Sequence, residues 1–305
     1  LEVLRCSSDQ ESLDGIVVLD QGIALVDGTR PHIMEPRYPG CQDEIINFGE
    51  FWDRRGICAH IKDIVSLSGE ISERYGRVYR LLAAANQLSL DWSASHAQGL
   101  NTKGINEVVQ RLAALFSSLP VEEDGKERHL FASSLSPKGT LHYLESILSP
   151  LERVYVLKDT YSCCAHKILE RVLLEAKSRG LFVEVYHCAL EPEQIEHLVI
   201  EELSLGFSIT CAHHIYTPEE AEVVDLDRFV DLGQVKETSF LNSQKETERQ
   251  IMAWAGSELA TIKTLHDELE GFYFPYMDFE ATDKLLERTV ERIFELLEPS
   301  EVPVP

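Results

Sequence analysis

The feature that most constrains this chain is a repeat within it. Residues 1–36, LEVLRCSSDQESLDGIVVLDQGIALVDGTRPHIMEP, lie without a gap over residues 183–218, VEVYHCALEPEQIEHLVIEELSLGFSITCAHHIYTP, at an offset of 182. The pairs Glu2/Glu184, Val3/Val185, Cys6/Cys188, Glu11/Glu193, Val17/Val199, His32/His214, Ile33/Ile215 and Pro36/Pro218 are identical. Composition alone would give about two. After a four-residue deletion, EIINFGEFWD at 44–53 lies over EVVDLDRFVD at 222–231 and keeps Phe51/Phe229 and Asp53/Asp231. A period of this length means one folding unit used twice.

Both copies then run into long helical stretches. Ile61, Ile64, Leu67, Ile71, Tyr75, Val78, Leu82, Ala85 and Leu88 step by three and four along one face, with Glu70 and Arg74 as an i,i+4 pair. Ile251, Trp254, Leu259, Ile262, Leu265 and Leu269 do roughly the same in the second copy. Further helices are expected near 103–116 and 282–297. The polar SSLPVEEDGKER at 117–128 reads as the link between copies. The expected modules are therefore residues 1–120 and 128–305.

The second copy opens with a lead-in that the first lacks. HLFASSLSPKG (129–139) precedes a helix near 140–149, the strand RVYVLK (153–158), a loop, a helix at 166–179 and the strand LFVEVYHC (181–188). Strand, loop, helix, strand is the opening of an α/β unit with parallel pairing. The expectation is an α/β fold of two modules with mainly parallel sheets and helices on both faces. With no counterpart of about residues 128–182 before Leu1, the chain is expected to be a fragment, short of roughly 50 residues.

In such folds the first strand-to-helix loop holds phosphates on helix N-terminal N–H groups. The phosphate-cradling form reads GxxxxGK[ST]. Here the slots hold Asp159, Thr160, Tyr161, Ser162, Cys163, Cys164, Ala165 and His166, followed by Lys167. Asp159 and Cys164 stand where glycines belong, Ala165 replaces the lysine and His166 the hydroxyl. Ser162, His166 and Lys167 are the residues left to contact a nucleotide, and a former site kept as structure is the alternative. The Mg²⁺-positioning acid of these folds ends an apolar strand. Ile23-Ala24-Leu25-Val26-Asp27 fits that pattern in the first copy, whereas the second has Ile209 in that slot.

Composition narrows the partners. The chain carries 28 Lys+Arg against 52 Asp+Glu, a net charge of −24, which opposes binding to nucleic acid or an anionic membrane. Seven cysteines without a CxxC fit a reducing cytosol, and no apolar run reaches membrane-spanning length. His187-Cys188 and Cys211-Ala212-His213-His214 end adjacent strand-like runs and form a zinc-type set, against the alternative of buried Cys and hydrogen-bonded His. Cys163-Cys164 sits near a helix N-terminus, where thiol pKa falls, so a redox pair stands against an inert one. Trp254 with Tyr273-Phe274-Pro275-Tyr276 is an aromatic platform or a packed helix end.

At DGIVVLDQGIALVDGTRPHIMEPRYPGCQDEIINFGEFWD, and again at RHLFASSLSPKG leading into RVYVLK, the sequence resembles a family of uncharacterised bacterial P-loop ATPase-like proteins built from two tandem halves. The resemblance implies tandem P-loop NTPase-like modules and ATP, or GTP, bound with Mg²⁺. Carried over, Asp27 is the catalytic and metal-positioning acid, and His32 joins it as a nucleotide-site candidate. The resemblance departs at Asp159–His166. The expectation is therefore a cytoplasmic NTPase whose first half works and whose second half is a degenerate regulatory partner. Its partners would be nucleotide and an unidentified protein. The rival from another class is a non-catalytic pseudo-NTPase scaffold.

Overall fold

The computed structural model describes residues 1–7, 9, 11–29, 33–121, 125–211 and 215–297. The chain opens with three strands, β1 (Glu2–Arg5), β2 (Leu13–Val18) and β3 (Ile23–Val26), and continues into helices α1 (Arg54–Ala59), α2 (Ile61–Ala97) and α3 (Thr102–Ala113). Strands β4 (Glu127–Phe131), β5 (Ser133–Ser136) and β6 (Gly139–His142) precede the short helix α4 (Leu144–Leu148). Then come β7 (Arg153–Lys158), α5 (Ala165–Lys177), β8 (Val183–His187), β9 (Ile195–Ile200), β10 (Leu205–Thr210) and β11 (Glu222–Asp225). Helices α6 (Thr238–Gly271) and α7 (Phe279–Leu297) close the chain.

The repeat survives as geometry. Offset by 182, β2 falls on β9, and the 3-10 turn Leu19–Gln21 falls on Glu201–Leu203. Each turn ends on a left-handed residue, Gly22 at φ 65° and Ser204 at φ 46°. Only glycine takes that conformation without strain. The strand pairing shifts register between Leu4 and Arg5 in one copy and between Tyr186 and His187 in the other. Downstream, Asp53 accepts the Arg55 N–H at 3.0 Å, and Asp231 accepts the Gly233 N–H at 2.9 Å.

The compact units, however, cut across the two sequence copies. One comprises Leu1–Tyr75 with Leu259–Pro305; the other comprises Gly76–Glu258. Each therefore joins one copy's strands to the other copy's last helix, and backbone bonds hold the graft. In the first unit the Asp53 N–H donates to the Tyr276 carbonyl at 2.7 Å, and the Asp278 N–H to the Phe51 carbonyl at 2.9 Å. In the second, the Asp231 N–H donates to the Gly99 carbonyl and the Asn101 N–H to the Phe229 carbonyl, both at 2.8 Å. The expected modules 1–120 and 128–305 trace the repeat but not the packing.

The first unit holds a three-stranded antiparallel sheet in the order β1-β2-β3. The second holds a six-stranded sheet in the order β11-β7-β10-β9-β8-β4. Its pairs β11/β7, β7/β10 and β8/β4 are parallel, and β10/β9 and β9/β8 are antiparallel. The fold is mixed α/β as expected, but instead of mainly parallel sheets it has a mixed six-stranded sheet and an antiparallel three-stranded one. The tight 3-10 connection after β9 leaves no room for the crossover that parallel pairing requires. Residues 140–142, expected to begin a helix, lie instead in β6, the second strand of the β5/β6 hairpin.

Burial explains the second unit's order. Tyr155, Leu157, Val183, Val185, Leu198, Phe207 and Ile209 face α3 and α5, packing on Leu112, Phe116, Ile168, Leu169 and Val172. Their strand neighbours Val154, Val156, Tyr186 and Val199 point the other way, onto Ala132, Leu144 and Leu148. The alternation is that of strands buried on both faces. His197, fully buried on that second face, pairs with the Ser208 hydroxyl at 2.8 Å. Among the described residues no helix is long and apolar enough to cross a membrane.

Candidate functional site

The second unit's cleft opens where β7 and β10 end, beside the first turn of α5. It is shallow, and its lining includes Ser93, Asp159, Ser162, His166, Cys188 and Cys211. Ligands of open α/β sheets bind at this end of parallel strands, facing helix N-termini.

The loop joining β7 to α5 is closed by its own first residue. Asp159 is buried, and its Oδ1 accepts the Cys163 N–H at 3.2 Å. Its Oδ2 accepts the N–H groups of Cys164 at 2.9 Å and Ala165 at 2.8 Å. These are the orphan donors that open a helix, and the carboxylate satisfies them as an internal anion. Ser162 makes the bend at φ 52° and donates its N–H to the Asp159 carbonyl at 3.0 Å. Its own carbonyl accepts the Ser93 hydroxyl of α2 at 2.7 Å.

Neighbouring contacts hold the loop from outside. Asp227 accepts both the N–H and the hydroxyl of Thr160, at 2.8 and 2.6 Å, and pairs with Lys158 at 3.1 Å. That pairing raises the Lys158 pKa. The Tyr161 ring stacks on buried His96 with centroids 4.5 Å apart, and His96 is anchored to the Trp92 carbonyl at 2.8 Å.

The expected nucleotide-site residues fare differently. His166 lines the cleft, and burial followed by the charge of Lys167 lowers its pKa. Lys167 is exposed and is not among the residues that line the cleft. Ser162 lines the cleft, but its backbone serves the loop. Asp27 belongs to the first unit, at the exposed end of β3. Its N–H donates to the Asp14 carbonyl at 2.7 Å, and its Oδ1 accepts the Thr29 N–H at 2.8 Å, forming an Asx turn. His32 lies outside the described residues. A nucleoside triphosphate does not fit the 159–167 loop, because its phosphates would need the N–H groups that Asp159 holds.

The cysteines likewise depart from expectation. The hydrogen-bonded Cys163 thiol, burial and the Asp159 charge together push the Cys164 thiol far above its ordinary range. The lowering expected at a helix N-terminus is overturned, since a carboxylate already sits on that positive end. Asp159, Cys163 and Cys164 do bring three ligand atoms within 4.8 Å of one another. Both carboxylate oxygens already accept the backbone N–H groups of the loop, so the group is a poor metal site. Cys188 and Cys211 line the same cleft, and burial, then Glu196, raises the Cys188 thiol. His187 turns away, its Nε2 lying 2.7 Å from His129 Nδ1 on β4, while His213 and His214 lie outside the described residues. Of the aromatic run, Tyr276 hydrogen-bonds His60 at 3.2 Å, and Phe274 is exposed.

The internal carboxylate was written in Asp159 but could not be read there. An acid in a phosphate loop looks like a lesion until the fold carries it round onto the helix it precedes. Compared with protein-family models, curated proteins and solved structures, the chain finds no match in any of the three.

Proposed function

We propose that this chain belongs to a nucleotide-binding protein of tandem P-loop NTPase type in which the second module has exchanged its nucleotide for an aspartate. The observation that carries this reading is the Asp159 carboxylate, seated on the N–H groups of Cys163, Cys164 and Ala165. An anion there, between a central parallel strand and a helix N-terminus, occupies the place a phosphate takes in such loops. The second module is thus self-liganded and serves as a partner to the first. ATP or GTP with Mg²⁺ is the ligand assigned to the first module, with Asp27 as its metal-positioning acid. His32 is a further candidate there.

The same closed loop also favours the rival, a scaffold in which neither module binds nucleotide. Calorimetry with Mg-ATP separates them, run on this chain and on the chain with whatever residues its gene encodes before Leu1. Binding by the longer chain alone supports the NTPase reading. Silence from both folded proteins overturns it in favour of the scaffold. Binding by the shorter chain would refute the assignment of the 159–167 loop as self-liganded.

A further inference from the structure

Among the described residues, three surfaces of the first unit are uncovered where their repeat counterparts in the second are covered. The first is the outer edge of β3. Its counterpart β10 pairs with β7 in parallel, Leu205 opposite Arg153 through Ile209 opposite Leu157, and every residue of β10 is buried. Among the described residues β3 pairs only with β2, and none of its residues is buried. With the Asp27 N–H turned toward β2, antiparallel alternation turns the N–H groups of Ala24 and Val26 toward the open edge.

The second surface is residues 44–47. Their counterpart is β11, which pairs with β7 and buries Val224. Residues 44–47 form no strand, and Ile45 and Ile46 are 73% and 39% exposed. The third is a stripe on α7. Its counterpart α3, with the 3-10 turn Ala114–Phe116 that follows it, buries Leu112 and Phe116 completely in the cluster that also holds Ile168, Leu169 and Val172 of α5. On α7, VVQRLAALF (108–116) corresponds to LLERTVERIF (285–294) with one insertion, and Leu286, Val290 and Phe294 are 61%, 41% and 64% exposed.

One missing element accounts for all three. In the second unit a single strand and helix, β7 and α5, pair with β10, pair with β11 and lie against α3. We propose that the first unit is an acceptor for a parallel β-strand followed by an amphipathic helix. The strand enters between β3 and residues 44–47, in register with Ile23–Asp27, and the helix covers Leu286, Val290 and Phe294. The strand is apolar on both faces, as β7 is from Val154 to Leu157.

The occupant is a segment of the same polypeptide joined to Leu1. In the second unit only the short turn Ser178–Phe182 separates α5 from β8, so an equivalent helix would end at the start of β1. A second copy is a poor donor, because its β7 is the buried centre of its own sheet and its withdrawal would expose Val156 and Leu157.

Hydrogen exchange read by mass spectrometry tests this without nucleotide, so the outcome is independent of whether nucleotide binds. The chain is compared with its form extended by the residues its gene encodes before Leu1. Slowing by about tenfold or more across 23–27, 44–47 and 285–294 in the longer form is expected. Phe294→Asp should leave the melting midpoint of the shorter chain unchanged and lower that of the longer one by about 5 °C. Unchanged exchange at β3, or a gene with no residues before Leu1, overturns the proposal. So does a dimer of the short chain, seen by sedimentation, in which these segments are already protected.

Discussion

Replacing Asp159 with alanine should unfold the second unit's loop at a cost readable in its stability. The carboxylate accepts two short backbone bonds, 2.8 and 2.9 Å, and a longer one of 3.2 Å. It is only 1% exposed, so water replaces it poorly. A buried donor left without a partner costs about 1–3 kcal/mol, and loss of a helix-capping anion costs about 0.5–2 kcal/mol. These overlap, since the same N–H groups enter both, and the expected loss is about 1–3 kcal/mol. Asp159→Asn retains one acceptor oxygen and should lose about half as much. Urea unfolding followed at Trp92, with Trp52 and Trp254 changed to Phe, reads the second unit through a ring neighbouring Tyr161. Exchange of the Cys164 and Ala165 amides reads the loop itself. A loss below about 0.5 kcal/mol, the range of ordinary surface changes, would refute the carboxylate's role in closing the loop. So would unaltered exchange of those amides.

Two further outcomes follow from the cleft. His166 has a folded pKa below its ordinary 6.5, so the unfolded chain takes up its proton first. Its contribution to stability is full above pH 6.5 and declines as the pH falls through the folded pKa. His166→Gln should flatten that decline in denaturant titrations between about pH 7 and 5, and an unchanged slope would remove His166 as its source. Iodoacetamide at pH 8, read by peptide mass spectrometry, should label exposed Cys41 and Cys58 first and leave Cys163, Cys164 and Cys188 intact until the chain is unfolded. Early loss of Cys164 would mean that Asp159 does not occupy the helix end.

What the sequence determined by itself was local and repeated. Apolar alternation set β2 and β9, the turns after them carried Gly22 and Ser204, and Asp53 and Asp231 marked the turns before the long helices. Each of these depends on residues a few positions apart, which is why an offset of 182 located all of them. The strand–loop–helix of β7 and α5 was legible for the same reason.

Tertiary structure decided what depends on distant partners. Whether α3 packs on its own copy's strands or the other's is not encoded in its amphipathic face, which suits either. The bonds between Asp231 and Gly99 and between Asn101 and Phe229 settle it within the second unit. Residues 44–47 and β11 have nearly the same apolar pattern, yet only β11 has β7 beside it and becomes a strand. Asp159 was visible as an acid in a loop where it would repel a phosphate. Its role as the anion on α5 emerged only when the chain folded back, because a carboxylate's effect depends on which N–H groups it faces.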